Sequence, residues 1–151
     1  GRFRMQLAGR LRPLIAARSS ELLRLTTSGR YSLLELDEDY NIHIIDQGQS
    51  FPLQRFSGGE QDLANLCLRV AISQVVAERS GKTPVQLIVL DEVFGSQDAR
   101  RQQLIMQALQ LLQSQFRQIF IISHVESIKE ILPVIFQVEM VSAHESKAVM
   151  I

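Results

Sequence analysis

Cysteine occurs once in the chain, at Cys67, so no disulfide can close within it. Long apolar runs are missing too: segments such as Leu87-Ile88-Val89-Leu90 and Ile119-Phe120-Ile121-Ile122 fall far short of the roughly 18 residues a membrane span needs. No charged-then-apolar leader opens the chain. Together these absences lead to the expectation of a soluble protein with no membrane partner, in a reducing, cytoplasmic setting. An excess of either charge is also lacking, with sixteen basic against sixteen acidic side chains and 46% apolar residues. That balance excludes a disordered tail, a collagen-like repeat and a wholly basic nucleic-acid module. No internal repeat or low-complexity segment occurs, and 151 residues suit one domain. A starting methionine is absent as well. Gly1 leads straight into a leucine-and-arginine helical pattern, so the expectation is a piece of a longer polypeptide.

What is present divides by charge. Residues 1–30 hold seven arginines against Glu21 alone, a net charge of +6, whereas residues 31–50 carry Glu35, Asp37, Glu38, Asp39 and Asp46 and no Lys or Arg. In the basic part, Leu7, Leu11, Leu14, Ile15, Leu22 and Leu25 recur at helical spacing, interrupted early if at all by Gly9 and Pro13. In the acidic part, residues 31–36 and 41–45 flank the turn-forming Asp37-Glu38-Asp39, a hairpin pattern, followed by a loop containing Gly48 and Pro52. From Ser57 the period changes: Leu63, Leu66, Cys67, Val70, Ala71 and Val75 fit a helix ending near Gly81 and Pro84. Residues 86–90 and 118–122 read as strands buried on both faces, with a helix over 99–116 between them. A short helix over 125–132 stopped by Pro133, a strand over 134–140 and a last strand over 146–151 complete the pattern. Strands alternating with helices give an α/β unit whose central strands are parallel, because helical crossovers return the chain in the same direction.

Four short segments have chemical potential, and each has a plainer reading beside it. Ser57-Gly58-Gly59-Glu60 opens a helix. Its glycines would let a ligand approach the backbone, and the free N–H groups and helix dipole suit an anion. The same S-x-x-E spacing is a capping box that needs no ligand. Asp91-Glu92 follows a strand, where ligands bind in parallel α/β sheets. Asp91 is a hard oxygen donor suited to Mg²⁺, and Glu92 could orient or deprotonate a water, although Asp-Glu also begins ordinary loops. Asp98, closing Gly95-Ser96-Gln97-Asp98, is equally a helix N-cap. His124, directly after a strand, is placed to donate to a phosphate or to serve as a satisfied turn residue.

In their order and spacing, with 34 residues from Ser57 to Asp91 and 33 from Asp91 to His124, the four segments resemble the ATP-binding cassette ATPases. Ser57-Gly58-Gly59-Glu60 is similar to the signature motif, 87–92 to the Walker B strand, 94–98 to the D-loop and His124 to the switch histidine. Glu60, where transporter cassettes usually have Gln, and Val93-Phe94-Gly95, where they have Pro-Thr, resemble instead the chromosome-maintenance and break-repair branch, nearest the SbcC or Rad-fifty type. The resemblance covers roughly residues 1–140. It implies an α/β C-terminal lobe of an ABC-type ATPase head, with mainly parallel buried strands and flanking helices. Residues 1–28 would be a coiled-coil-base helix, and 29–151, starting with a small hairpin, the lobe itself.

No G-x-x-x-x-G-K-[ST] phosphate loop is present; Lys82 follows Gly81 without the first glycine or the strand before it. In the resembled family that loop lies in an N-terminal half beyond a long coiled coil. The resemblance therefore implies half of a split ATPase, with ATP and Mg²⁺ as cofactors. Asp91 would hold the metal, Glu92 activate water and His124 contact the γ-phosphate. Ser57, Gly58, Gly59 and Glu60 would face the ATP of a second head, with Asp98 crossing the dimer interface. Implied partners are the N-terminal half, the second head of a homodimer, DNA and a nuclease subunit, with association to the nucleoid in a bacterium. The basic opening helix is either part of the DNA contact or a solvated arginine face. A chromosome-condensing ATPase of the same branch, a transporter-type ATPase subunit and a non-hydrolysing scaffold are the alternatives.

Overall fold

The computed structural model describes residues 2–81, 86–94 and 98–151, the side chains of 2–9 and 127 excepted. Lys82 and Pro84, and Gly95, Ser96 and Gln97 of the expected D-loop, lie outside the described residues. Helix α1 (Arg2–Thr26) runs through Pro13 as one helix. Pro13 withholds one backbone N–H and its ring crowds the carbonyl one turn back, a local cost on the order of 3 kcal/mol that the helix bears without ending. The helix stops where Thr26 and Thr27 turn their hydroxyls onto the carbonyls of Leu22 and Leu23. Ser28 and Gly29 then take left-handed conformations, with the Gly29 N–H reaching back to the Arg24 carbonyl at 2.8 Å, a C-cap geometry suited to glycine.

The acidic segment forms an antiparallel meander of β1 (Leu33–Leu36), β2 (Ile42–Asp46) and β3 (Gln49–Pro52). Asp37 closes the first turn by accepting from the Asp39 and Asn41 N–H groups at 2.9 and 2.8 Å and from the Asn41 side chain. Those bonds hold its exposed carboxyl below the usual range. The third strand corrects the expected loop around Gly48 and Pro52. Gln47 and Gly48 both have positive φ, forming the two-residue turn whose twist suits a hairpin. Leu34, Ile42 and Ile44 point inward, and Ser20 of α1 accepts the Leu34 N–H at 2.9 Å, binding the sheet to the helix.

Helix α2 (Gly58–Arg79) lies along α1 through small side chains; Ala64, Cys67 and Ala71 are fully buried. Burial pushes the Cys67 thiol up to about 11. Helix α3 (Ala99–Leu112) packs on both through Ile105, Leu109 and Leu112. Strands β4 (Leu87–Asp91) and β5 (Gln118–Ile122) pair in parallel, as expected of strands joined by a helical crossover. Their expected burial on both faces is corrected: Ile88 and Leu90 are buried, but Leu87, Val89, Phe120 and Ile122 on the opposite face are 40–54% exposed. The all-apolar run prepares both faces for burial, and this chain covers one. Beyond β5, residues 125–132 form only a 3₁₀ turn, Glu126–Glu130, in place of the expected short helix. Strands β6 (Phe136–Ser142) and β7 (Glu145–Met150) pair antiparallel as a separate, exposed ribbon. Among the described residues no helix is long and apolar enough to cross a membrane.

Candidate functional site

The parallel register sets Asp91 beside Ile122, so both strands end at the same edge. Glu92 and His124 extend from that edge 32 residues apart in sequence. The Glu92 N–H continues the ladder to the Ile122 carbonyl at 3.0 Å while its φ turns to +52°, a left-handed conformation that costs a non-glycine residue on the order of 1 kcal/mol. This turn brings Glu92 Oε1 to 2.9 Å from His124 Nδ1. An ionised carboxylate only accepts, so Nδ1 donates, and the outer Nε2 can then donate to a ligand only as imidazolium. The His124 and Glu92 side chains are 84% and 47% exposed, so the pair adds little stability and stands open to water. Asp91 occupies the same edge, and Arg69 of α2 donates to its main-chain carbonyl at 3.2 Å. A cavity of about 140 Å³ lined by Asp62, Asn65, Leu66, Arg69, Glu92 and Val93 lies between α2 and this edge.

Among the described residues no cluster of three or more His, Cys, Asp or Glu side chains could cage a metal. The lone carboxylate of Asp91 fits Mg²⁺, which is held by one or two carboxylates together with water and substrate phosphates.

Ser57 caps α2 in a complete capping box. Its Oγ accepts the Glu60 N–H at 3.4 Å, while the Glu60 carboxylate accepts the Ser57 N–H at 2.9 Å and the Ser57 hydroxyl at 2.7 Å. The other Glu60 oxygen accepts the buried Tyr31 hydroxyl at 2.8 Å and lies 3.5 Å from Arg30. Partial burial pushes the Glu60 carboxyl up, but the bonds from Ser57 and Tyr31 outweigh it and hold the group below its usual range. Burial and the Glu60 carboxylate push the Tyr31 phenol up to about 12. Glu60 is therefore taken up by protein donors. The N–H groups of Gly58 and Gly59, in contrast, meet no acceptor among the described residues, as expected for the first turn of a helix.

A cavity of about 520 Å³ adjoins the cap, lined by Tyr31, Asp46, Phe51, Arg55, Ser57 and Glu60 among others, with the Arg55 guanidinium 4.1 Å above the Phe51 ring. Neither cavity is lined by both Ser57 and Glu92. Asp98 caps α3, accepting from the Arg100 and Arg101 N–H groups at 2.9 and 3.4 Å. Sequence reasoning missed Tyr31, taken for the start of a strand, and the pair Arg101–Asp62, which no local pattern announces.

The family described as SbcC/RAD50-like, Walker B motif, matches residues 38–111. The SbcC component of the SbcCD nuclease of Clostridium acetobutylicum is 34% identical over 123 residues, covering 80% of this chain and 10% of the relative. Its Pseudomonas aeruginosa counterpart is 30% identical over 154 residues, 87% of this chain and 12% of the relative. The chain thus spans about a tenth of the length of the curated relatives it matches. Among solved structures, the SMC head domain from Thermotoga maritima aligns with a TM-score of 0.63 at 21% identity, over 98% of this chain and 51% of that one. An SMC ATPase described for ATP-driven dimerization and DNA-stimulated activation aligns with a TM-score of 0.64 at 19% identity, over 97% and 89%. At these identities the likeness is one of fold.

Proposed function

The chain belongs to the SbcC/RAD50-like family and has the fold of an SMC-type head lobe, and from that premise we propose that it is the C-terminal half of a split ATPase head serving DNA break repair beside a nuclease subunit. The observation that carries this reading is the Glu92–His124 pair at 2.9 Å, beside Asp91 on one edge of a parallel sheet. Glu92 orients the attacking water and takes its proton; His124 holds Glu92 by Nδ1 and, protonated, directs Nε2 toward the γ-phosphate. Asp91 would hold Mg²⁺, which supplies charge neutralisation to the phosphates.

Ser57, Gly58 and Gly59 serve a different nucleotide, the one bound by a second head, and their separation from the cavity beside Glu92 supports this division. Glu60 acts through the cap rather than on the ligand. Asp98 stands at the interface of the two heads. ATP then closes the dimer and hydrolysis releases it. Residues 1–28 form the coiled-coil base, whose arginines contribute to DNA contact, and the protein works in the cytoplasm at the nucleoid. The exposed face of Leu87, Val89, Phe120 and Ile122 is where the half carrying the phosphate loop covers the sheet.

The test is reconstitution. The chain alone should show no Mg-ATPase and only weak ATP binding, and adding the N-terminal half should restore both. Robust hydrolysis by the chain alone would sink the split-head reading.

A further inference from the structure

The first turns of α2 and α3 interlock through one side chain. Arg101 donates through Nε and Nη2 to Asp62 Oδ2, at 2.8 and 2.5 Å, with both side chains about one-third exposed. Its guanidinium lies against Gly58. A methyl group there would stand 2.9 Å from Arg101 Cζ and Nη1, and one at Gly59 would stand 3.1 Å from Leu104 Cδ2 and 3.6 Å from Arg101 Cγ. A side chain at Gly58 would therefore displace the end of Arg101, and one at Gly59 would press on Leu104, quite apart from any ligand. The main chain of Arg101 is at the same time held by Asp98, which caps α3. A continuous link runs from Asp98 through Arg101 to Asp62 and Gly58.

We propose that Arg101 is a positioning residue: by clamping α3 onto the first turn of α2, it aims the unengaged Gly58 and Gly59 N–H groups at the phosphate presented by a second head. The inference rests on the trans-signature reading above. It adds that the two segments facing the second head, 57–59 and Asp98, move as one body. The clamp needs a planar guanidinium that gives two N–H bonds to one carboxylate while lying over a glycine, which the single ammonium of lysine cannot reproduce.

The experiment uses the ATPase assembled from both halves and reads three quantities for each variant: melting temperature, ATP affinity of the single head, and the protein concentration at which ATP induces dimers, followed by light scattering. Arg101→Ala should leave single-head ATP affinity unchanged and raise the dimerisation midpoint by about tenfold. Arg101→Lys should lie between wild type and Arg101→Ala. Gly58→Ala should weaken dimerisation in the wild-type background but add nothing in the Arg101→Ala background, because the group its methyl displaces is gone. Ser57→Arg is the control for the parent reading and should abolish dimerisation. If Ser57→Arg abolishes it while Arg101→Ala dimerises at the wild-type midpoint, the positioning role is overturned and the trans-signature reading stands. If Ser57→Arg still dimerises, the parent reading falls and the proposal with it.

Discussion

Glu60→Gln isolates the charge at the centre of the cap while conserving side-chain shape. The carboxylate accepts from the Ser57 N–H, the Ser57 hydroxyl and the Tyr31 hydroxyl at 2.9, 2.7 and 2.8 Å. Glutamine offers one oxygen and one donating NH₂. The oxygen must stay with Ser57, whose N–H cannot reverse, so the NH₂ faces Tyr31, whose hydroxyl can rotate to accept. Tyr31 then keeps no protein acceptor for its own hydroxyl hydrogen, which must turn to water in the adjoining cavity, and charge assistance is lost as well. A hydrogen bond to a charged group is worth about 1 kcal/mol more than a neutral one, and with two sides of the carboxylate affected the cost is about 2 kcal/mol. Arg30 adds little, its side chain being 71% exposed. For a chain of this size the melting temperature should fall by about 4–8 °C.

The pH dependence has a definite sign. Because the folded carboxyl is held below its usual range, its stabilisation is present above the unfolded value of about 4.3 and is lost as pH falls through the folded value. Circular-dichroism melts of wild type and Glu60→Gln should differ by a constant amount from neutrality to about pH 5 and converge below about pH 4. A neutral-pH difference under about 0.5 kcal/mol, within the range of ordinary surface substitutions, or a difference that grows on acidification, would refute the reasoning.

Glu92→Gln in the reconstituted head should retain ATP binding and ATP-induced dimers while turnover drops by about 10²-fold or more, measured by phosphate release; unchanged turnover would reassign Glu92 to a loop role. Val89→Asp, on the 54% exposed strand face, should cost about 1 kcal/mol of stability, leaving the chain folded, yet prevent co-purification with the half carrying the phosphate loop. Undiminished assembly would remove that face from the interface.

Local chemistry was legible in the chain itself. Helical spacing identified α2, the apolar runs identified β4 and β5, and the S-x-x-E spacing implied the cap that Ser57 and Glu60 form. Each of these depends on residues within a few positions of one another. The third strand of the meander was missed because its signal, two positive-φ residues at Gln47 and Gly48, is a backbone property that glutamine does not advertise.

Other features depend on residues distant in sequence, and only the tertiary structure decided them. The parallel register brings Glu92 to His124, helix packing brings Arg101 to Asp62, and the C-cap of α1 delivers Tyr31 to Glu60. Periodicity also misled on burial. An all-apolar strand shows that both faces are made to be covered, but whether anything covers them depends on what packs there. In this chain Ile88 and Leu90 are buried by their neighbours, while Val89 and Phe120 stand exposed to solvent.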